Sequence, residues 1–415
     1  MNGRAPLAGV RVIDFTQYIA GPGATSVLAD LGADVIKVEP LSGEATRHLG
    51  SFGLGMFHAY NRAKRSVALD LSDERARTVA ADLIATSDVV VQNLRPGAMD
   101  RMGLGAERMR QSNPSLVYVS ISGFGEHGSD AKRAGLDIAA QAESGIMSIT
   151  GEADGEPQRV GFAVVDVATA HAAAQAILAA LFHRERGGEP ADIQVSLIES
   201  AINIQAANVV EYFGTGVTPR RSGNGQPGAA PAADLIRTSD GHVVLSAYTT
   251  PHWATLCQII GRPDLIDDPR LNSIEARLEH RAFMHEVLDA AFSGMTSEEC
   301  VAWLAGHGLV AGAVRDYAQM AEAPTVRQLG VLPEIEQRDG GGPGRYVRLP
   351  YRMSILDDAL GARSAPQVGE HTASVLTELG LDRPRITELT RAGVVADPAH
   401  AVEAIDDEPD ESRVI

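Results

Sequence analysis

AGVRVIDFTQYIAGPGATSVLADLGADVIKVEP, residues 8–40, decides the fold. Gly9 to Phe15 is an apolar, β-branched run that reads as a strand. Thr16 to Gly23 reads as a loop containing Gly21-Pro22-Gly23, and a helix follows through Leu28-Ala29-Asp30-Leu31 to a stop at Gly32. Asp34 to Val38 is the next strand, ending at Glu39-Pro40. The order is that of a βαβ unit. It imitates a dinucleotide fingerprint, a Gly-x-Gly followed by an acidic residue about 20 positions on. In that fingerprint, however, the first Gly closes the strand directly and a third Gly follows. Here several residues separate Phe15 from Gly21, and Ser26 stands at the third position, so nicotinamide binding is disfavoured.

The same rhythm continues outward. Ser66 to Leu71 is a short strand, and Asp73 to Thr86 a helix with Ser72 as a candidate N-cap. Asp88 to Gln92 is a strand, about 105–112 a helix, and Ser115 to Ile121 a further strand. Strands separated by helices predict an α/β fold with a large doubly wound, Rossmann-like parallel sheet. Ligands on such sheets sit beyond the carboxyl ends of the strands. The loops that matter are therefore 16–23, 40–47, 93–101 and 122–137. These loops and the segment between two of them carry Arg47, Arg62, Lys64, Arg65, Arg95, Arg101, Lys132 and Arg133. Each alone reads as solvated surface; together they suit a ligand with several phosphates.

Arg159 to Gly188, RVGFAVVDVATAHAAAQAILAALFHRERGG, holds one carboxylate, Asp166, in its apolar part. Val164 and Val165 read as extended, and Ala168 to Phe182 as a helix closed by basic residues and Gly187-Gly188. Asp166 is then expected at a helix N-terminus, whose free N–H groups would keep it ionised. It either caps the helix or serves as a preorganised nucleophile or base. Val195 to Phe213 reads as one long amphipathic helix. Asp234 to Ala247 reads as a hairpin turning at Asp240-Gly241, with helices around 253–260, 274–292 and 297–306, which together predict a smaller α+β domain.

The bulk numbers narrow the classes. With 415 residues the chain suits two or three domains. Lys plus Arg number 36 against 54 Asp plus Glu, a net charge of −18, which disfavours a nucleic-acid partner. Cys257 and Cys300 are too few for a disulfide framework or a four-Cys zinc site, Cys257 reads as core, and no metal site is expected. The chain shows neither a signal-peptide pattern nor 18 consecutive apolar residues, so no membrane partner and a cytoplasmic location are expected. His58, His127, His242 and His252 read as surface residues rather than ligands.

Several segments together resemble the class III CoA-transferase (CaiB/BaiF) family, which includes formyl-CoA transferase and the carnitine CoA-transferases. They are PLAGVRVIDFTQYIAGPGATSVLADLGADVIKVEP at 6–40, NRAKRSVALDL at 61–71, VVVQNLRPGAMDRMGL at 89–104 and AAQAESGIMSITG at 139–151. VVDVATAHAAAQAILAALFHRERGG at 164–188, GNGQPG at 223–228 and GEHTASVLTELGL at 369–381 complete the set. The resemblance implies a nucleophilic Asp166, with Tyr18 and Ile19 supplying backbone oxyanion donors and Leu136 beside the acyl group. On the CoA side it implies Asn61, Arg62, Ala63 and Lys64, then Asn93, Leu94 and Arg95, and Arg101. Pro40 stands where formyl-CoA transferase has a CoA-contacting Arg, with Arg47 near enough to take over. Ala134 replaces a contact Lys, with Lys132 and Arg133 adjacent. Gly223, Gly225 and Gln226 match an active-site loop that is longer in formyl-CoA transferase.

The resemblance also implies an interlocked homodimer whose large domain is completed by the C-terminal segment. The expected division is 1–213 for the first part of the large domain, a Gly-rich linker at 214–233, a small domain at 234–325, the return at 326–400 and an acidic tail at 401–415. No permanently bound cofactor is implied; coenzyme A and acyl-CoA come as substrates with a carboxylic acid. The same fold hosts α-methylacyl-CoA racemases, which use a His-Asp pair in a segment like AGHDIN. This chain has Ala134-Gly135-Leu136-Asp137-Ile138, and Leu136 cannot carry a proton. Racemisation, or CoA binding without turnover, stands as the alternative.

Overall fold

The computed structural model describes residues 5–225, 232–335, 344–356 and 361–398. Gln226 and the acidic tail lie outside the described residues. The chain divides into two compact units. One comprises Met1–Ser144, Gly161–Val210 and Gly330–Ile415; the other Gly145–Val160 and Glu211–Leu329.

The larger unit is built on one sheet. Its parallel strands are β1 (Arg11–Phe15), β2 (Asp34–Glu39), β3 (Arg65–Leu69), β4 (Val89–Gln92), β5 (Val117–Ser122) and β6 (Asp192–Ser196). They lie in the order β3-β2-β1-β4-β5-β6. A late two-residue strand, Val395–Ala396, adds antiparallel to β3. That order places the topological switch between β1 and β4, which pair in parallel through Val12–Val89 to Phe15–Gln92. The strand cores are apolar on both faces, as a sheet covered on both sides requires; Val89, Val90 and Val91 are all fully buried. One face packs Leu83, Ile84, Leu116, Leu376 and Leu389 against Ile13, Ile36, Val67 and Val90.

The helices that follow β1 to β5 are α1 (Ala20–Asp30), α2 (Gly50–Asn61), α3 (Glu74–Ala85), α4 (Ala98–Arg101), α5 (Ala106–Ser112), α6 (Asp137–Glu143), α7 (Ile146–Ile149) and α8 (Val164–Glu185). α8 packs mainly on α1 and also against β5 and β6. Gly23 permits that approach, since a Cβ there would stand 2.9 Å from Ala170 Cβ. By length and composition α8 could cross a membrane. It buries Thr169, Ala173 and Ile177 inside this unit.

Several local expectations need correction. α1 begins at Ala20, so Gly21-Pro22-Gly23 lies in its first turn, not in a loop. Proline is tolerated there because its missing N–H would have no partner in the helix. A side chain at Gly21 would strike Thr16. α3 is capped by Asp73, whose side chain accepts from Arg75 N, not by Ser72. α2 has no counterpart in the sequence reading; Gly50, Gly53 and Gly55 mask its helical character. Residues 195–213 are not one helix: 192–196 form β6, and helices Leu197–Asn203 and Ala206–Thr215 follow.

The smaller unit carries β7 (Ala233–Arg237), β8 (His242–Ser246) and β9 (Val310–Ala313) in an antiparallel sheet. The hairpin turns at the expected Asp240-Gly241. Helices Thr250–Ile259, Arg281–Phe292 and Ser297–Gly306 close a core around Trp253, Leu256, Met284 and Phe292. Cys257 and Cys300 are buried, and burial pushes their thiols up to about 12 and about 11, so they are inert core residues.

Candidate active site

Asp166 is the third residue of α8, not its cap. The cap residue, Ala163, offers no side chain to the helix amides. Asp137, the first residue of α6, does so from outside. Its Oδ1 accepts from the Val165 and Asp166 backbone N–H groups at 2.8 and 3.2 Å, and its Oδ2 accepts from Gln141 at 2.5 Å. The positive end of α8 is thus neutralised by a second carboxylate. The consequence reverses the sequence expectation. Burial first, and the Asp137 charge second, push the Asp166 carboxyl up to about 7. Tyr60, at the end of α2, feels the same charge: burial and then Asp166 raise its hydroxyl above the ordinary tyrosine value. Tyr60 also lies beside Gly23, at the crossing of α1 and α8.

α1, the helix on which α8 packs, carries a feature of its own at its N-terminus. Tyr18 takes a left-handed conformation at φ +66°, rare for a residue with a side chain. Ile19 then opens α1, accepting from Gly23 N at 2.7 Å. Among the described residues neither the Tyr18 nor the Ile19 N–H finds an acceptor. They are free donors at the N-terminus of an 11-residue helix. Leu136, the cap residue of α6, and Tyr18 are exposed, whereas Ile19 is buried.

Beneath the Thr16–Ile19 loop lies a buried charge cluster. Asp14 Oδ2 accepts from Lys64 Nζ at 2.9 Å and Thr25 Oγ1 at 2.7 Å, while its Oδ1 accepts from Thr16 N at 2.8 Å. Lys64 also donates to Asn61 Oδ1, Thr25 Oγ1 and Pro22 O. Lys37 Nζ donates to Thr16 O at 2.8 Å and pairs with Glu44 at 2.6 Å. Burial opposes the charge on Asp14, but the Lys64 and Lys37 ammoniums hold its carboxyl well below the usual range. Burial lowers Lys64 to about 8 despite that pairing.

The residues expected on the CoA side therefore fall into two groups. Asn61 and Lys64 are engaged inside the protein. Arg62 is buried, bonded to Asp30 at 2.6 Å and to Gly361 O, and stacked on Tyr346. Arg47 forks onto Glu39, bonds Pro366 O and lies over Phe57. Ala63 turns the chain at φ +58° and bonds Arg363 O. Asn93 binds the Gln17 backbone. Arg133 pairs with Glu143 and Asp130 on the surface and stacks on Phe124. Arg95 and Arg101, beyond β4, are exposed, and among the described residues neither has a carboxylate partner. Leu94 borders a cavity of about 430 Å³ at the carboxyl ends of β1, β2 and β3, together with Thr16, Gln17, Pro40 and Asp70.

In the smaller unit Gly223, at φ +61°, donates to Gly151 O at 3.0 Å. Gly225 lies against the Arg281 guanidinium, which bonds Ser222 O and Asp234. Sequence reading missed Asp137, Tyr60 and the Asp14–Lys37–Lys64 cluster. Asp137 stood in a segment already singled out, but its role depends on a hydrogen bond 28 residues away in the chain.

The description CoA-transferase family III matches residues 7–372. The chain is 36% identical to a probable fatty acyl-CoA transferase from Mycobacterium tuberculosis, over 90% of this chain and 98% of that one. It is 35% identical to a succinate–glutarate CoA-transferase from Agrobacterium fabrum, over 91% and 96%. The crystal structure of a CaiB/BaiF family protein from Brucella suis superposes with a TM-score of 0.82 at 34% identity, covering 91% of this chain and all of that one. The chain belongs to CoA-transferase family III and is a class III CoA-transferase.

Proposed function

We propose that the enzyme moves CoA from an acyl-CoA thioester to a free carboxylic acid through covalent intermediates on Asp166. The observation that carries this is a half-buried carboxylate in the first turn of α8, the helix that packs on α1, together with two free backbone N–H groups at the N-terminus of α1. An Asp166 oxygen attacks the thioester carbonyl carbon. The Tyr18 and Ile19 N–H groups receive the developing oxyanion. CoA thiolate leaves, and an acyl-aspartyl anhydride remains. The thiolate then attacks the aspartyl carbonyl, releasing the donor acid and forming an aspartyl–CoA thioester. The acceptor carboxylate displaces the thiolate to give a second anhydride. Thiolate attack on the acceptor's carbonyl yields the new acyl-CoA and restores Asp166. The apolar surroundings keep water from the anhydrides.

The cavity beyond β1–β3 suits the nucleotide end of CoA, with the exposed Arg95 and Arg101 offering cations to its phosphates. Coenzyme A and acyl-CoA enter as substrates. The named relatives act on fatty acyl or dicarboxylic acyl groups, which sets the first substrates to assay.

The raised carboxyl gives a test. Attack needs the carboxylate, so kcat/KM should rise with pH to a plateau above about 7. Fold stability runs the other way. The fold favours the protonated form, so ionisation costs stability as pH rises from the ordinary aspartate value, 3.8, through about 7. Asp137→Asn keeps an acceptor for the α8 amides and removes the charge. It should move the kinetic inflection down by about 0.5–1 unit. An unmoved inflection would show that Asp166 does not set it.

A homodimer accords with the exposed apolar surface. Helix Ala206–Thr215 buries none of its residues and presents Val210, Tyr212 and Phe213, the last 79% exposed; Phe52 is 76% exposed. Light scattering should give twice the 43.8 kDa chain mass. A monomer at micromolar concentration would refute the dimer.

A further inference from the structure

We propose that Asn93 is a positioning residue for the oxyanion loop, acting with the buried Lys37, rather than a contact for CoA. The proposal rests on the Tyr18–Ile19 reading above. Asn93 Oδ1 accepts from the Gln17 N–H at 2.9 Å, and its Nδ2 donates to Gln17 O at 2.8 Å. Both ends of the side-chain amide are thus committed to one residue's backbone. The preceding residue is held as tightly. Thr16 N donates to Asp14, Thr16 Oγ1 donates to the same oxygen, and Thr16 O accepts from Lys37. Lys37 is fully buried, so its ammonium has no water to exchange with. Every backbone polar group of Thr16 and Gln17 is therefore fixed by a side chain.

The next residue is Tyr18, in the left-handed region. Such a conformation persists only where its surroundings over-determine it. The two clamped residues before it and the helix after it supply that determination. Releasing the clamp lets Tyr18 relax, and the two free N–H groups swing away from the carbonyl they would polarise. Asn93 lies just beyond β4 and Gln17 just beyond β1, the neighbouring strands at the sheet's switch point. The clamp thus uses the crevice of the fold to aim a backbone.

The test compares Asn93→Ser and Asn93→Asp with the wild type. Asn93→Ser removes both bonds; Asn93→Asp keeps the acceptor, loses the donor and sets a charge against Gln17 O. Both should lower kcat about 10²-fold, because small misplacements of preorganised groups cost that much. CoA affinity by calorimetry should stay within about 3-fold, a difference of less than one decade. Lys37→Met should lower kcat in the same way. A weakened CoA affinity with unchanged kcat would overturn the proposal and make Asn93 a CoA contact. Unchanged turnover per folded molecule, with folded fraction taken from thermal melting, would overturn it too. Rapid-quench measurement of acyl-Asp166 separates the levels. A wild type that forms none refutes the parent reading, whereas equal formation rates in wild type and Asn93→Ser refute this proposal alone.

Discussion

Asp166→Ala is expected to abolish CoA transfer, by at least ~10⁴-fold, while CoA still binds. The reason is covalent. Without the carboxylate the thioester has no internal oxygen to accept the acyl group, and the free N–H groups of Tyr18 and Ile19 have no tetrahedral intermediate to hold. Binding should survive because the cavity beyond β1–β3, Arg95 and Arg101 are untouched. Folding should survive as well. Among the described residues the Asp166 side chain makes no hydrogen bond, and its ionised form is disfavoured by burial and by Asp137. Asp166→Asn should melt higher than the wild type at pH 8, and the advantage should shrink toward pH 4, where the native carboxyl is protonated. Steady-state transfer, calorimetric CoA titration and melting on the same samples give all three readings. Retained transfer in the alanine variant would remove Asp166 from the mechanism.

Asp14→Ala is expected to be the most destabilising substitution in the larger unit, by about 3–5 kcal/mol. It leaves Lys64 and Lys37 buried with one anion fewer, and takes the acceptor from the Thr16 N–H and Thr16 Oγ1. A buried ion left without its partner costs far more than the pair contributes. The double variant Asp14→Leu, Lys64→Met removes both charges and should recover a large part of the loss. Denaturant unfolding and hydrogen exchange on β1 and β3 would measure it. A loss below about 1 kcal/mol would mean that water or rearrangement satisfies the lysines. The Asp14 carboxyl is held low, so its contribution should be present at neutral pH and vanish only in strong acid.

The sheet was legible because its strands are apolar runs between turn residues; Val89 to Val91 and Asp34 to Val38 needed no long-range information. β6 was not. Its residues, Asp192 to Ser196, alternate on a half-exposed edge and run straight into a helix, so their pattern blends with helical spacing. α2 was hidden by its glycines. Asp166 was visible as one carboxylate in an apolar run, but its environment was inverted. Helix spacing placed it at a cap, where amides would stabilise the anion. The amides are taken by Asp137, and only a tertiary contact could reveal that. The basic residues erred in the same direction. Lys64, Arg62 and Arg47 read as a phosphate rim, yet their partners Asp14, Asp30 and Glu39 lie on neighbouring β-strands or α1. Charge counted along a sequence does not show which ions are already paired.

The covalent role of Asp166 is tested most directly by trapping. The wild-type enzyme, mixed with an acyl-CoA donor and quenched with hydroxylamine, should yield a hydroxamate on the peptide containing Asp166, read by mass spectrometry, with none in Asp166→Ala. An unmodified Asp166 in an enzyme that turns over, together with exchange of the donor's α-proton into deuterated water, would contradict the covalent mechanism and favour racemisation.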